Sequence, residues 1–559
     1  MKKIGITLLL LAIILTLFLP SQLYANSSEK YLDENNTIQT QENCIELVED
    51  LTEWGTEGTT TWYIVKNDLT LTNRPYVKGD VHLILADNAT LNATIGISVT
   101  ENQSLTIYSQ STGNNMGKLI AKGYQRHPSN HYYAAGIGGY SQEIVGDITI
   151  HGGNITAYGG GYAAGIGGGY YASGGGGKQH GYGGGNITIT GGIIEATNEY
   201  DTAGIGAGKS YEPLFALQGS KSNFSTGSNG NAIIKTNHFV LDNKDINSGI
   251  IFEGNTGNVY GNVELNQDFT LSNAENLTIN TGSTLTIPKD IILTLKGTIT
   301  NNGSIILGNS SSLEGTGILN SSNGSIQGAL IEDTDLTAIV AMDTSEISNL
   351  THDIEKSISN KNDLHTTFIP DTGYTLPKDI VIYVNNIELS SENYKYDNNS
   401  GELIIPAKEI KGNLKIVASA DKIIPKYIIT INEVTGATIS TSSNPNEVLE
   451  GTDFNITIKA DNGYKITSIK VNNIEQKLPL LDDVLTLANV SENITVDIST
   501  EKIPEIVSSN EISTTEEENN ISASPKTGAT TNIAFWTILA IMSILGIAYT
   551  LKHIKKNKK

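Results

Sequence analysis

Ala134-Ala135-Gly136-Ile137-Gly138-Gly139, Ala163-Ala164-Gly165-Ile166-Gly167-Gly168 and Thr202-Ala203-Gly204-Ile205-Gly206-Ala207 are three copies of one motif, spaced 29 and 39 residues apart. Between the copies lies a second motif, Gly146-Asp147-Ile148-Thr149-Ile150-His151-Gly152-Gly153 and Gly185-Asn186-Ile187-Thr188-Ile189-Thr190-Gly191-Gly192. The ten extra residues of the longer spacing fall in a glycine-rich insertion, 169–184. Short Ile-Thr-Ile alternations closed by paired glycines predict stacked β coils rather than a globule folded once. Alternate side chains of each coil point inward onto the rung below, and glycine forms corners where a Cβ would clash. Backbone groups of each strand are then satisfied by the neighbouring coils. The expected fold is all-β, a right-handed parallel β-helix.

The pattern extends both ways. Val81-His82-Leu83-Ile84-Leu85, Ser104-Leu105-Thr106-Ile107-Tyr108 and Gly117-Lys118-Leu119-Ile120-Ala121 read as strands upstream. Asn276-Leu277-Thr278-Ile279, Ser283-Thr284-Leu285-Thr286-Ile287, Ile291-Ile292-Leu293-Thr294-Leu295 and Ser304-Ile305-Ile306-Leu307 continue it downstream. These place the solenoid at 60–330, with 26–59 as a cap over its open end. Residues 335–421 and 426–500 read as two copies of a small β-sandwich module. Asp371-Thr372-Gly373-Tyr374 matches Asp461-Asn462-Gly463-Tyr464, and Val384-Asn385-Asn386-Ile387-Glu388 recurs at Val471-Asn472-Asn473-Ile474-Glu475. Asp-x-Gly-Tyr reads as a turn with an apolar plug and Val-Asn-Asn-Ile as a hairpin corner. Residues 501–523 hold six glutamates and one lysine without apolar periodicity, which predicts an unfolded spacer.

The first residues carry Lys2 and Lys3, an uncharged apolar run over 4–19, then Pro20 and Leu23-Tyr24-Ala25. This is the layout of a secretory signal peptide, cleaved after Ala25. Near the other end, 533–551 form an apolar stretch of 19 residues without charge, long enough to span a bilayer as a helix. Five lysines follow within 552–559, a basic tail that stays on the cytoplasmic side. Removing 1–25 and 529–559 deletes seven lysines and no acid, taking the formal net charge from −23 to −30. A nucleic-acid partner is not expected, since phosphate binding needs a basic patch.

Ser524-Pro525-Lys526-Thr527-Gly528 precedes the apolar stretch. Pentapeptide, apolar span and basic tail in this order resemble the sorting signal of LPxTG-type Gram-positive cell-wall proteins. The resemblance implies that a sortase thiolate attacks the carbonyl of Thr527, releases Gly528 onward, and passes the acyl group to a peptidoglycan amine. Pro525 would kink the strand for the sortase groove. Ser524 stands where the family usually has leucine, which points to a sortase with its own preference. The expected partners are a sortase and peptidoglycan, and the expected location is the cell wall after transient retention in the membrane.

Chemistry-bearing residues are sparse. The lone cysteine, Cys44, lies in a short apolar segment and reads as a buried small hydrophobe. Arg74 and Arg126 are the two arginines, and Asp147 and Asp201 the only aspartates between 130 and 210. That leaves little of the base, acid-pair or calcium-ligand chemistry used by polysaccharide lyases and hydrolases of this fold. His127, His131, His151 and His180 are irregularly spaced for a metal site, and no cofactor is expected. Tyrosine is the concentrated residue, with 11 of 24 between 124 and 211. Tyr132, Tyr133, Tyr170 and Tyr171 are the candidate ligand-binding residues, able to stack on sugar rings or anchor a host-matrix protein. The competing reading makes such tyrosines covers over the coil corners. Three classes of function stay open: an adhesin or binding protein, a passive structural wall protein, and a polysaccharide lyase or hydrolase.

Overall fold

The computed structural model describes residues 26–505 apart from 127–131, 142, 171–183, 201–202, 209–221, 229 and 334. The signal peptide, most of the spacer, the sorting motif, the apolar stretch and the basic tail lie outside the described residues. The chain divides into two units, with the boundary between Ile423 and Ile424. Among the described residues it is all-β, built on large parallel sheets in a solenoid-like arrangement.

Three walls form the first part of unit one. The first stacks Tyr76–Leu85, Ser104–Ser109, Asp147–Ile150, Asn186–Ile189 and Ser222–Ser225 in parallel. The second stacks Thr90–Ala93, Lys118–Lys122, Asn154–Gly159, Ile193–Asn198 and Ile233–Thr236. The third is narrow, stacking Ile97–Ser98, Ile137–Gly138, Ile166–Gly167 and Ile205–Gly206. Like residues therefore sit over like. Leu105, Ile148, Ile187 and Phe224 form one buried column, and Leu91, Leu119, Ile155, Ile194 and Ile234 another. Each such side chain removed from water contributes about 1.5–3 kcal/mol against the entropy of ordering its rung.

The repeated Ala-Gly-Ile-Gly motif is the third wall. Ile137 pairs with Ile166 and Ile166 with Ile205, so the three copies lie in register. The second glycine of each copy is forced twice over. Gly138, Gly167 and Gly206 have φ of +131°, +128° and +118°, a region that side chains rarely enter. A Cβ on them would stand 2.1, 2.0 and 2.1 Å from the carbonyl oxygens of Gly167, Gly206 and Val240 on the next rung. Arg74 braces the same wall. Its guanidinium donates to the carbonyls of Ile95 at 3.0 Å, Ala135 at 2.8 Å and Gly138 at 2.8 Å.

The expected single solenoid over 60–330 is two hydrophobic columns sharing a wall. Gly249–Glu253 turns back on Thr256–Tyr260 as an antiparallel pair. Ile234 and Ile251 face the first core, whereas Ile233, Ile250 and Phe252 face the second, so both sides of this wall are buried. Three new parallel stacks follow. One runs Thr256–Tyr260, Asn276–Ile279, Thr298–Asn301, Ile318–Ser321; another Asn262–Glu264, Thr284–Ile287, Ser304–Leu307, Ser325–Gly328; the third Phe269–Leu271, Ile292–Leu295, Ser312–Glu314. Alternation alone does not say which core a residue enters, because a wall with apolar residues on both faces looks like an ordinary strand run.

Strand pairing continues past both expected edges of the solenoid. Glu53–Val65 spans the boundary at 59/60, and the hairpin of Asn26–Leu32 with Ile38–Glu46 joins it by pairing Ile45 with Tyr63 in parallel. At the other end Thr337–Ser348 pairs in parallel with Ile318–Ser321 and also with Leu414–Ser419. Residues 335–421 thus share the second core, which takes in Ile382, Leu403, Ile405 and Ile416.

Unit two holds one sheet of Ile429–Ile431, Ile494–Lys502, Tyr464–Val471 and Ile474–Glu475. A second has Ala437–Thr441, Phe454–Ala460 and Val484–Leu487, with Phe454, Ile456, Ile458, Ile469 and Val496 in its core. Its local geometry repeats that of 335–421. Asn385 and Asn386 have φ of +48° and +66°, and Asn472 and Asn473 have +47° and +67°. The Asn385 side chain accepts from the Asn413 N–H at 2.9 Å, as that of Asn472 does from Thr495 at 2.8 Å. Ile423 and Ile503 each donate 2.8 Å bonds to the glycine carbonyl of the matching Asp-x-Gly-Tyr turn.

Replacing Gly167 by alanine adds one methyl at an otherwise unchanged site. The clash and the φ strain together should destabilise the chain by about 3 kcal/mol, read as a lower urea-unfolding midpoint. Gly58→Ala, which also has positive φ but meets nothing within 4 Å, should cost less.

Candidate functional site

Tyrosines gather where the second wall turns into the third. Lys122, Tyr158 and Thr197 pair across three successive rungs, and Tyr124, Tyr158 and Tyr200 lie at or just after that level. Alternation sets the direction of Tyr158, because Ile155 and Ala157 of the same strand point inward and are buried. Tyr124, Tyr158 and Tyr200 are 39%, 40% and 48% exposed.

Beneath lies a floor of packed rings. Tyr133 and Tyr170 are only 5% and 4% exposed, bridge each other through their backbones, and have centroids 5.2 Å apart. Tyr162 packs on Tyr170 at 5.1 Å and carries Tyr200 at 4.6 Å. Ala163 completes this cluster. Of the four tyrosines expected to meet a ligand, Tyr133 and Tyr170 are therefore corner covers, buried against each other and Ala163. The side chain of Tyr132 and the whole of Tyr171 lie outside the described residues, as do Ala25 and Ser524, Pro525, Lys526, Thr527 and Gly528. Among the described tyrosines of this region, those that present rings to solvent are Tyr158, Tyr200 and Tyr124, and for Tyr158 the strand parity was the available clue.

A second aromatic group sits on the outer face of the first wall. Trp62 stacks on His82 at 4.2 Å and on Tyr108 at 5.2 Å, and Tyr108 meets His151 at 5.2 Å. Asp80 accepts from His82 Nε2 at 3.0 Å, and His82 Nδ1 meets the Tyr108 hydroxyl at 2.9 Å. Burial opposes ionisation of Asp80, yet its bonds to Ser104 and His82 outweigh that and hold the carboxyl below its ordinary range. Burial pushes the Tyr108 phenol up and the His151 imidazole down. Carboxylate, imidazole and phenol in line could relay a proton, but Tyr31 from the N-terminal hairpin lies on Tyr108 at 4.7 Å and Trp62 at 5.0 Å. Glu29 and Lys66 pin the same hairpin at 2.7 Å. The group acts as a clasp fastening residues 26–46 over Ile64, Ile84 and Tyr108, outward-facing positions that are nevertheless buried.

His151 Nδ1 is 2.8 Å from the Thr190 hydroxyl, and His127, His131 and His180 lie outside the described residues. Among the described residues no group of three or more His, Cys, Asp or Glu side chains could hold a metal ion. No helix among them is long and apolar enough to cross a membrane. No known protein family, curated protein or solved structure matches the chain.

Cys44 is fully buried, with its thiol pushed up to about 11 by burial. In the native protein at pH 8 it should resist alkylation by iodoacetamide. Labelling should appear only after denaturation, as counted by intact mass.

Proposed function

We propose that the chain is an exported surface protein joined to peptidoglycan by a sortase, and that its solenoid serves as a binding surface. On this reading the fold is a right-handed parallel β-helix followed by two β-sandwich modules, the first continuous with the helix. The spacer 501–523, at about 3.3 Å per extended residue, would carry them roughly 75 Å outward through the wall polymer. Anchoring rests on the order of three sequence features: Ser524-Pro525-Lys526-Thr527-Gly528, the apolar stretch 533–551 and the basic tail 552–559.

The observation that carries the binding reading is the tyrosine belt. Three exposed rings come from three successive coils, and that of Tyr200 packs on the half-buried ring of Tyr162, which fixes its position. A phenol offers an apolar face and a hydroxyl with few rotamers to freeze, which suits a sugar ring or a protein side chain. Holding the rings in place before contact lowers the entropy lost on binding. The ligand class favoured here is a glycan or a host-matrix protein.

Two measurements test the two halves. Mature protein carrying Tyr158→Ala and Tyr200→Ala should lose at least tenfold in affinity for whatever ligands a glycan and matrix-protein array finds for the parent, with its unfolding midpoint unchanged. Undiminished binding would remove the belt from consideration. In cells, Thr527→Ala should shift the protein from the fraction released by wall digestion to the membrane fraction. Continued release with peptidoglycan fragments attached would count against sortase cleavage at that residue.

A further inference from the structure

A ladder of amides runs up the solenoid at the corner where the third wall turns into the first, away from the tyrosines. Asp147 pairs with Ser104, Asn186 with Asn223, and Asn223 with Asn243. Asn186 donates from its side chain to Asp147 Oδ1 at 3.0 Å, and Asn223 to Asn186 Oδ1 at 3.2 Å. Asn243 donates in turn to Asn223 Oδ1 at 3.0 Å. These residues are exposed and line an open cleft of about 670 Å³ that also includes Glu101 and Asp242.

We infer that this cleft binds an uncharged linear polysaccharide lying along the solenoid axis. The inference rests on the reading of the solenoid as a binding surface and adds to it a site and a ligand class. A primary amide has two N–H donors and a carbonyl with two acceptor sites. Each asparagine in the run spends one donor on the rung before it, and Asn186 and Asn223 spend one acceptor on the rung after. What remains is a row of donors and acceptors in alternation, repeated at the rung spacing of about 4.8 Å. A sugar hydroxyl is both donor and acceptor, and a hexopyranose is about as long as a rung is high. Successive residues of one chain can therefore meet equivalent amides.

Charge selects among polymers. Among the described residues the cleft lining carries the carboxylates Glu101 and Asp147, so a uronate or sulfated chain would meet like charge there. The amides hold one another in place, so little side-chain entropy is lost when a ligand arrives. Glycine at 184 and 185 leaves the middle of the lining without side chains.

The test uses the mature protein and soluble oligomers of uncharged linear glucans, mannans and galactans, with oligouronates and calcium chloride alone as separate arms. At least one neutral oligomer should bind, and Asn186→Ala with Asn223→Ala should weaken it tenfold or more, while Tyr158→Ala with Tyr200→Ala leaves it within about twofold. Independently of any variant, that oligomer should slow backbone hydrogen exchange in 101–104, 144–147 and 184–186 of the parent protein, which keeps the test intact if the double variant fails to fold. Binding of oligouronates or calcium alone would overturn the inference. So would neutral-glycan binding that is lost only with the tyrosines, or without protection at those segments, although the tyrosine belt would then stand. Absence of any neutral-glycan binding overturns the cleft and leaves a matrix-protein ligand at the belt to be judged by its own variants.

Discussion

Rung-to-rung pairing in parallel register is the constraint from which the rest of unit one follows. A parallel strand satisfies its N–H and C=O groups only if another coil lies at the right height on each side. In the third wall the approach is so close that three successive rungs admit only hydrogen at Gly138, Gly167 and Gly206. Once that wall is fixed, the isoleucines at 137, 166 and 205 stack, and the two longer walls are carried into register with them. Loops of different length can leave the corners without disturbing the stack, which is why motif copies spaced 29 and 39 residues apart still superpose.

The same pairing transmits order from end to end of the unit. The wall of Ile233–Thr236 and Gly249–Glu253 is buried on both faces and belongs to two cores at once. Thr337–Ser348 carries the second core into residues 335–421 by pairing with a rung on one side and with Leu414–Ser419 on the other. At the opposite end the hairpin 26–46 pairs with the first full strand, and Tyr31 closes over Trp62 and Tyr108. A bare terminal rung would present unpaired backbone and an apolar face, and this hairpin covers both.

Regular stacking also makes surfaces that repeat. An outward position on one rung has its counterpart about 4.8 Å away on the next, so similar side chains on neighbouring rungs can form a linear array. The tyrosines at the second corner and the asparagines at the third are two such arrays, one of rings and one of amides. Other polar groups obey the same geometry to a different end: Arg74 spends its guanidinium on the carbonyls of Ile95, Ala135 and Gly138, and Asp80, His82 and Tyr108 link adjacent rungs under the hairpin.

By itself the sequence determined the all-β class, the parallel stacking and the register of the third wall, because identical short motifs can bury identical faces only by lying over one another. It also determined the matched Asn-Asn and Asp-x-Gly-Tyr turns at 371–388 and 461–475, whose backbone angles are set by local chemistry. Only the tertiary structure decided that the solenoid has two cores, that 335–421 joins the second, and that Tyr133 and Tyr170 are covers while Tyr158 and Tyr200 face solvent. Those outcomes depend on what packs against the outer side of a strand. Alternation fixes which side chains share a face; whether that face meets water, another core or a returning hairpin is settled by segments far away in the chain.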